Sequence, residues 1–240
     1  MCTLTWRRNG AATFEIFFNR DEKKTRSRAE PPTLREARGM RFLAPRDPDG
    51  GGTWMLVNQR ALVVCLLNRW HEEAAPASST TTSRGRLVWD LATCENVPAV
   101  AERLQSSDPS GARPFSLAAF DPVGQRGWDW NGRELTPVRL EMPVCSSSFH
   151  FEEVAAARRA RFNDLRFSAR ASRDFLEAFH SDTTGGPNAF TVRMCRADAQ
   201  TMSRSHLLVE EDAVRWSYLE EPPNLEGEPR HVVAEFRLAD

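Results

Sequence analysis

Short β-prone runs separated by turn residues dominate the hydrophobic pattern of this chain. Residues 2 to 8 (Cys-Thr-Leu-Thr-Trp-Arg-Arg) and 13 to 18 (Thr-Phe-Glu-Ile-Phe-Phe) flank the pair Asn9-Gly10. Both of those residues accept the positive φ of a type I′ turn, so the chain is predicted to open with a β-hairpin. Residues 23 to 40, with several charges and Pro31-Pro32, read as an exposed connection. A short strand near Arg41 to Ala44 follows, then the turn-rich Asp47-Pro-Asp-Gly-Gly-Gly52. Thr53 to Asn58 and Ala61 to Asn68 are predicted as strands, the second apolar enough to be central and buried.

Helical spacing begins at Arg84, with Leu87, Val88, Leu91 and Ala92 on one face, and a second helix is expected from Asn96-Val-Pro98. Ala74 to Ser83 is small and polar, which suits a mobile loop. Strand patterning returns at Phe115 to Phe120 and at Trp128 to Leu140, the latter interrupted by Asn131-Gly132. Helices are expected over 152 to 166 and 172 to 180, with Ser172 as N-cap. The remainder reads as strands: Ala189 to Cys195, Met202 to Val209, Ala213 to Leu219 and His231 to Leu238. Strands separated by grouped helices, without repeats or a break in composition, predict one α+β domain over 1–240, built as two mostly antiparallel sheets with helices outside.

Composition narrows the possible functions. A net charge of -1 gives no bulk attraction to nucleic acid or anionic lipid, and a hydrophobic fraction of 40% supports a core. Of the 32 basic residues only Lys23 and Lys24 are lysines, so the charge is carried by arginine. The five cysteines have no C-x-x-C pair, and no two of the five histidines stand at metal spacing; neither a disulfide framework nor a metal site is expected. No run approaches the roughly 18 apolar residues of a membrane span, and no signal-peptide pattern opens the chain. A cytoplasmic protein without an integral membrane segment is the expectation, its oligomeric state open.

The candidate chemistry starts at Cys2. Met1 before a small residue is of the kind that is removed, and a first cysteine then carries both a thiol and a free α-amine. That amine has a reference pKa of about 7.7 to 8.0 and can act as base for the thiol beside it. Pairing across Asn9-Gly10 returns residues 18 to 21 to residues 1 to 3, so Arg20 and Asp21 are expected close to Cys2. An arginine there favours the thiolate, and an aspartate can orient the ammonium. The alternative for Arg20 and Asp21 is a surface ion pair of little energetic consequence.

Met-Cys-Thr-Leu, Asn19-Arg20-Asp21-Glu22, Gly51-Gly52-Thr53-Trp54 and Leu66-Leu67-Asn68 resemble the NRDE family, also called the transport and Golgi organization 2 family. The stretch from Cys195 to Ser205 is similar to its C-terminal segment. The resemblance implies a four-layer αββα N-terminal-nucleophile hydrolase fold, like penicillin V acylases and bile salt hydrolases, with Cys2 as nucleophile, Arg20 and Asp21 beside it and Asn68 as oxyanion donor. Asn19, Trp54 and Arg204 are expected to bind substrate. Arg158, Arg161 and Arg204 are the candidates for a further arginine those enzymes use. Their second oxyanion asparagine has no counterpart, and Cys145-Ser-Ser-Ser148 stands in that region. Two functions follow: a hydrolase or acyltransferase on a linear C–N amide, with no cofactor, or a non-catalytic carrier of haem, acyl-CoA or lipid. The ligand is a small molecule or an apolar one in either case.

Overall fold

The computed structural model describes residues 2–10, 12–70, 83–168 and 175–239. Two antiparallel sheets face one another. The first has six strands: β1 (Cys2–Arg8), β2 (Phe14–Lys23), β10 (Val144–Ser146), β11 (Ala199–Val209), β12 (Ala213–Glu220) and β13 (Arg230–Arg237), in the order β10-β1-β2-β11-β12-β13. The second has seven, in sequence order: β3 (Glu30–Ala37), β4 (Met40–Arg46), β5 (Met55–Asn58), β6 (Val63–Asn68), β7 (Phe115–Phe120), β8 (Gln125–Trp130) and β9 (Leu135–Val138). Helices α1 (Arg84–Asp90) and α2 (Val97–Ser106) cover the outer face of the second sheet, and α3 (Phe151–Ser168) and α4 (Phe175–His180) cover that of the first. The architecture is the expected four-layer αββα sandwich.

Alternation along the strands sorts side chains into these layers. Leu4, Trp6, Phe14, Ile16 and Phe18 of the first sheet meet Leu43, Val57, Val63, Leu67 and Phe120 of the second in the central core. Their sequence neighbours point the other way: Phe17 packs on Phe162, Leu176 and Phe179 of α3 and α4. Across the second sheet, Val64, Leu66 and Leu117 meet Val88, Val100 and Leu104 of α1 and α2. Asn96 caps α2 by accepting from the Ala99 N–H at 2.9 Å, with Pro98 in the first turn.

Two segments depart from the sequence expectation. Residues 30 to 37, expected as a connection, form β3; it is the edge of its sheet, where a proline's missing N–H costs no ladder bond. Residues 189 to 195, expected as a strand, hold only an isolated bridge between Cys195 and Gln200, because the side chains of Asn188 and Thr191 bond the local backbone and turn the chain. Of the expected loop Ala74 to Ser83, all but Ser83 lies outside the described residues, as does the Ser172 cap. Among the described residues, no helix is long and apolar enough to cross a membrane.

Candidate active site

Cys2 opens β1 directly across from Arg20 of β2 on one side and Ser146 of β10 on the other. Residues opposite each other in a ladder share a face, and Cys2 points with Leu4 and Trp6 toward the second sheet. There it lines a cavity of about 420 Å³ together with Arg20, Trp54, Asn68 and Arg84. Cys2 is only 6% exposed, and its pKa is raised, chiefly by burial; the Asp21 charge raises it further, while Arg20 and a backbone hydrogen bond from Asp21 work the other way. In this form the sulfur is held as a thiol.

Arg20 lies over the ring of Trp54, its Cζ 4.4 Å from the centroid, and approaches Glu22 at 3.4 Å and Asp47 at 3.8 Å. Stacking on a ring face fixes a guanidinium plane without neutralising it. Trp54 is held by the turn before it. The Gly52 carbonyl accepts from the Asp47 N–H at 2.8 Å, and Thr53 N–H donates to the Gly85 carbonyl at 3.1 Å. A Cβ on Gly52 would sit 2.2 Å from the Gly85 carbonyl carbon, so the glycine is what lets the start of α1 close on this turn. The glycine run is therefore a packing contact that shapes the cavity wall.

Asn68 ends β6, opposite Phe115, and lines the same cavity as Cys2. Asn68 and Trp70 also border a second cavity of about 260 Å³, whose wall includes Leu67, Leu117, Leu140 and Val144. Ser146, across the ladder from Cys2, lines that second cavity; its hydroxyl is buried without a hydrogen-bond partner among the described residues. It comes from the Cys145-Ser-Ser-Ser148 stretch, which the family resemblance marks as the place of a missing asparagine.

The helix-facing side of β1 and β2 carries a different set of polar groups. Asp21 accepts from Thr201 Oγ1 at 2.7 Å and from Arg158 at 3.2 Å, and Arg158 also donates to Thr3 Oγ1 at 2.5 Å. The side chains of Asp21 and Arg158 are both fully buried. Asn19 donates to the carbonyls of His180 and Val192 at 2.9 and 3.0 Å and accepts from His180 Nδ1 at 2.8 Å. Its Nε2 is then left to accept from Thr5 Oγ1 at 2.8 Å. Burial, with Arg204 and Arg158 nearby, pushes the His180 pKa down to about 3, so the ring stays neutral.

Strand alternation thus corrects two expectations. Asn19 and Arg204, placed by resemblance among substrate-binding groups, face each other across β2 and β11 on the helix side and do not line the cavity. Arg204 is bonded to Glu221 and Ser181. Trp54 does line the cavity. Asp21 borders the cavity through the strand end while its carboxylate is turned to Arg158. Of the three candidate arginines, Arg158 is the one that meets Asp21; Arg161 pairs with Asp182. Arg84 and Arg113, both lining the cavity, had no signal in the sequence: the contact between Gly52 and Gly85 brings the start of α1 there, and Arg113 stands two residues before Phe115, which pairs with Asn68. Among the described residues, no three His, Cys, Asp or Glu side chains gather as a metal site.

A family model described as Transport and Golgi organisation 2 matches residues 1–135. No curated protein matches the chain by sequence. Among solved structures, the chain is similar to a cysteine-to-alanine mutant of the conjugated bile acid hydrolase from Clostridium perfringens, at 12% identity and TM-score 0.55, covering 98% of this chain and 97% of that one. It is also similar to the Caenorhabditis elegans ortholog of N-acylethanolamine-hydrolyzing acid amidase, at 10% identity and TM-score 0.61, covering 86% of this chain and 92% of that one. An arginine-to-leucine variant of the Clostridium perfringens hydrolase matches at 11% identity and TM-score 0.53, covering 99% and 98%. At such identities the likeness is one of fold, that of the N-terminal-nucleophile hydrolases.

Proposed function

The chain belongs to the Transport and Golgi organisation 2 family, and from that premise and the cavity's geometry we propose that it is a hydrolase or acyltransferase acting on a linear C–N amide, with Cys2 as nucleophile. The observation that carries the reading is the placement of Cys2 and Arg20 on one face, in direct register, at the wall of a single cavity.

The chemistry runs as follows. With Met1 removed, the α-amine of Cys2 accepts the thiol proton, which answers the energetic cost of ionising a buried sulfur. The sulfur adds to the amide carbonyl carbon, and the carbonyl oxygen takes the negative charge. Asn68 is the side-chain donor for that oxyanion, and the Ser146 hydroxyl, across the ladder from Cys2 and without a hydrogen-bond partner among the described residues, is the candidate for the second. Arg20 adds fixed positive charge. As the C–N bond breaks, the ammonium returns its proton to the leaving nitrogen and a thioester remains on Cys2. Water then gives a carboxylic acid, or an incoming amine gives a new amide, and the thiol is restored. Asp21 acts as a positioning residue: its backbone approaches the sulfur while its carboxylate anchors the strand end to α3.

A β-lactone electrophile tests this reading. The account expects one covalent adduct, on Cys2, absent from Cys2→Ala. Cys65 and Cys145 have raised pKa values, first of all from burial, so half-buried Cys195 is the background to be scored. Labelling as strong in Cys2→Ala as in the parent protein refutes the nucleophile.

The second cavity beside the first, with Leu67, Leu117, Leu140 and Val144 on part of its wall, favours a second reading, a carrier that holds an acyl ligand without cleaving it. Cys2→Ala would then keep the full binding and biological activity of the parent. Haem as the carried group is tested by titration: an unchanged Soret band at micromolar protein excludes it.

A further inference from the structure

Among the described residues, positive charge at the Cys2 cavity exceeds what its carboxylates neutralise. Arg26 is bonded to Asp47 and lies near Glu22 and Asp49, Arg196 is paired with Asp198, and Asp21 is taken by Arg158. Arg84 and Arg113 have no carboxylate within ion-pair distance among the described residues. The polar contact of Arg84 is with the Pro114 carbonyl, at 3.0 Å. Burial pushes the Arg84 pKa down to about 10, with Arg113 adding like-charge repulsion. Glu22 and Cys2 shift it the other way, so Arg84 lies within electrostatic reach of the sulfur.

A half-buried guanidinium without a counter-ion is costly, and a second one beside it raises that cost. The backbone keeps the arrangement: Thr53 N–H on the Gly85 carbonyl fixes the residue that follows Arg84, and Gly52 offers no Cβ to push it away. Arginine forks match carboxylate and phosphate oxygens. On the other side of Asn68 and Trp70, the second cavity presents Leu67, Leu117, Leu140 and Val144, with charged groups such as Asp129, Glu141 and Arg159 also on its wall. Cys2 thus lies between a basic compartment and one that offers an apolar stretch of wall.

Resting on the reading of Cys2 as nucleophile, we propose that the substrate is an amphiphilic amide whose amine half carries an anionic group, a carboxylate or a phosphate, held by Arg84 and Arg113. The acyl chain occupies the second cavity.

Binding to the full-length Cys2→Ala protein separates this proposal from turnover, and Trp54 and Trp70, both lining the cavity, supply a fluorescence signal. The ligands are N-octanoylglycine, N-octanoyl-phosphoethanolamine and the neutral N-octanoylethanolamine. At least one anionic ligand is expected to bind about tenfold or more tightly than the neutral one, the return from a charge-assisted contact, and which one binds tells carboxylate from phosphate. Arg113 is exposed, so Arg113→Gln will fold; it is expected to cut the preference to within about threefold and leave the neutral ligand's affinity unchanged. Arg84→Gln should do the same. Equal binding of neutral and anionic ligands, no binding of either anion, or a preference that survives both substitutions overturns the proposal. If wild-type protein cleaves the neutral amide and ignores the anions, the hydrolase reading stands and this one falls. If an anion binds with the expected preference but is never cleaved, the anion site at Arg84 and Arg113 stands and the hydrolase reading falls.

Discussion

On the side of β2 that faces the second sheet, Arg20 is held by a ring face and two carboxylates at 3.4 and 3.8 Å. On the side that faces the helices, Asn19 and Asp21 are tightly bonded, to His180, Val192, Thr201 and Arg158. These three residues are consecutive, yet they divide between a cavity and a packed polar layer. The loosely held side chain is the one beside the thiol. A motif of adjacent residues in a strand is therefore not one site: one part of it lines the cavity, and the other clamps the strand end.

The largest expected effect that sharpens this contrast is on the clamp. Asp21→Ala leaves Arg158 as a fully buried cation without its partner, and should lower unfolding stability by about 3–5 kcal/mol in urea denaturation. A loss under about 1 kcal/mol would mean that the charge was never dependent on the pair. On the cavity side, Asn68→Ala should leave denaturation unchanged and slow acylation by the β-lactone by roughly 10²–10³-fold, the effect of removing an oxyanion donor. Equal rates would remove Asn68 from the chemistry.

Smaller again is the effect of Asn19→Ala. It strips the bonds to His180 and Val192 from a buried layer, and should cost about 1–3 kcal/mol of stability. The ratio of labelling to folded protein should stay constant, which a substrate-binding role would not allow.

Acid supplies the mildest test. The unfolded chain takes up a proton on His180 near its ordinary pKa, while the folded ring, at about 3, does not. Protons therefore favour unfolding between those values: this contribution is complete above about pH 6.5 and declines on acidification, by at most about 1.4 kcal/mol per pH unit. The Glu15 pKa is about 2; burial alone would raise it, but hydrogen bonds from His206, Arg7 and Asn9 prevail. Its stabilisation is present above about 4.5 and lost only below that, so urea midpoints between pH 6.5 and 4.5 isolate His180. His180→Gln should flatten the slope in that window.

Local signals made the hairpin, the strand order near Cys2 and the α2 cap legible, because turn residues and alternation act over a few positions; the hairpin's loop, however, runs over residues 9 to 13, closed by Asn9 N–H on the Thr13 carbonyl, and is not the type I′ turn expected at Asn9-Gly10. The same alternation already separates Arg20 from Asn19 and Asp21, but reading Asn19 to Glu22 as a unit concealed it. Arg84 and Arg113 were not legible, since the first depends on how closely Gly52 and Gly85 approach and the second on the pairing of β7 with β6, both contacts between segments more than thirty residues apart. Pro31 and Pro32 misled for a related reason: whether a proline run can be a strand depends on its being an edge, which is a property of the whole sheet.

The mass of the N-terminal peptide, taken from native protein before and after β-lactone treatment, tests the central claim most directly. The account predicts a peptide beginning at Cys2 that gains one acyl group on that residue. A peptide that retains Met1 in protein competent for labelling, or an acyl group on any other residue, would contradict it.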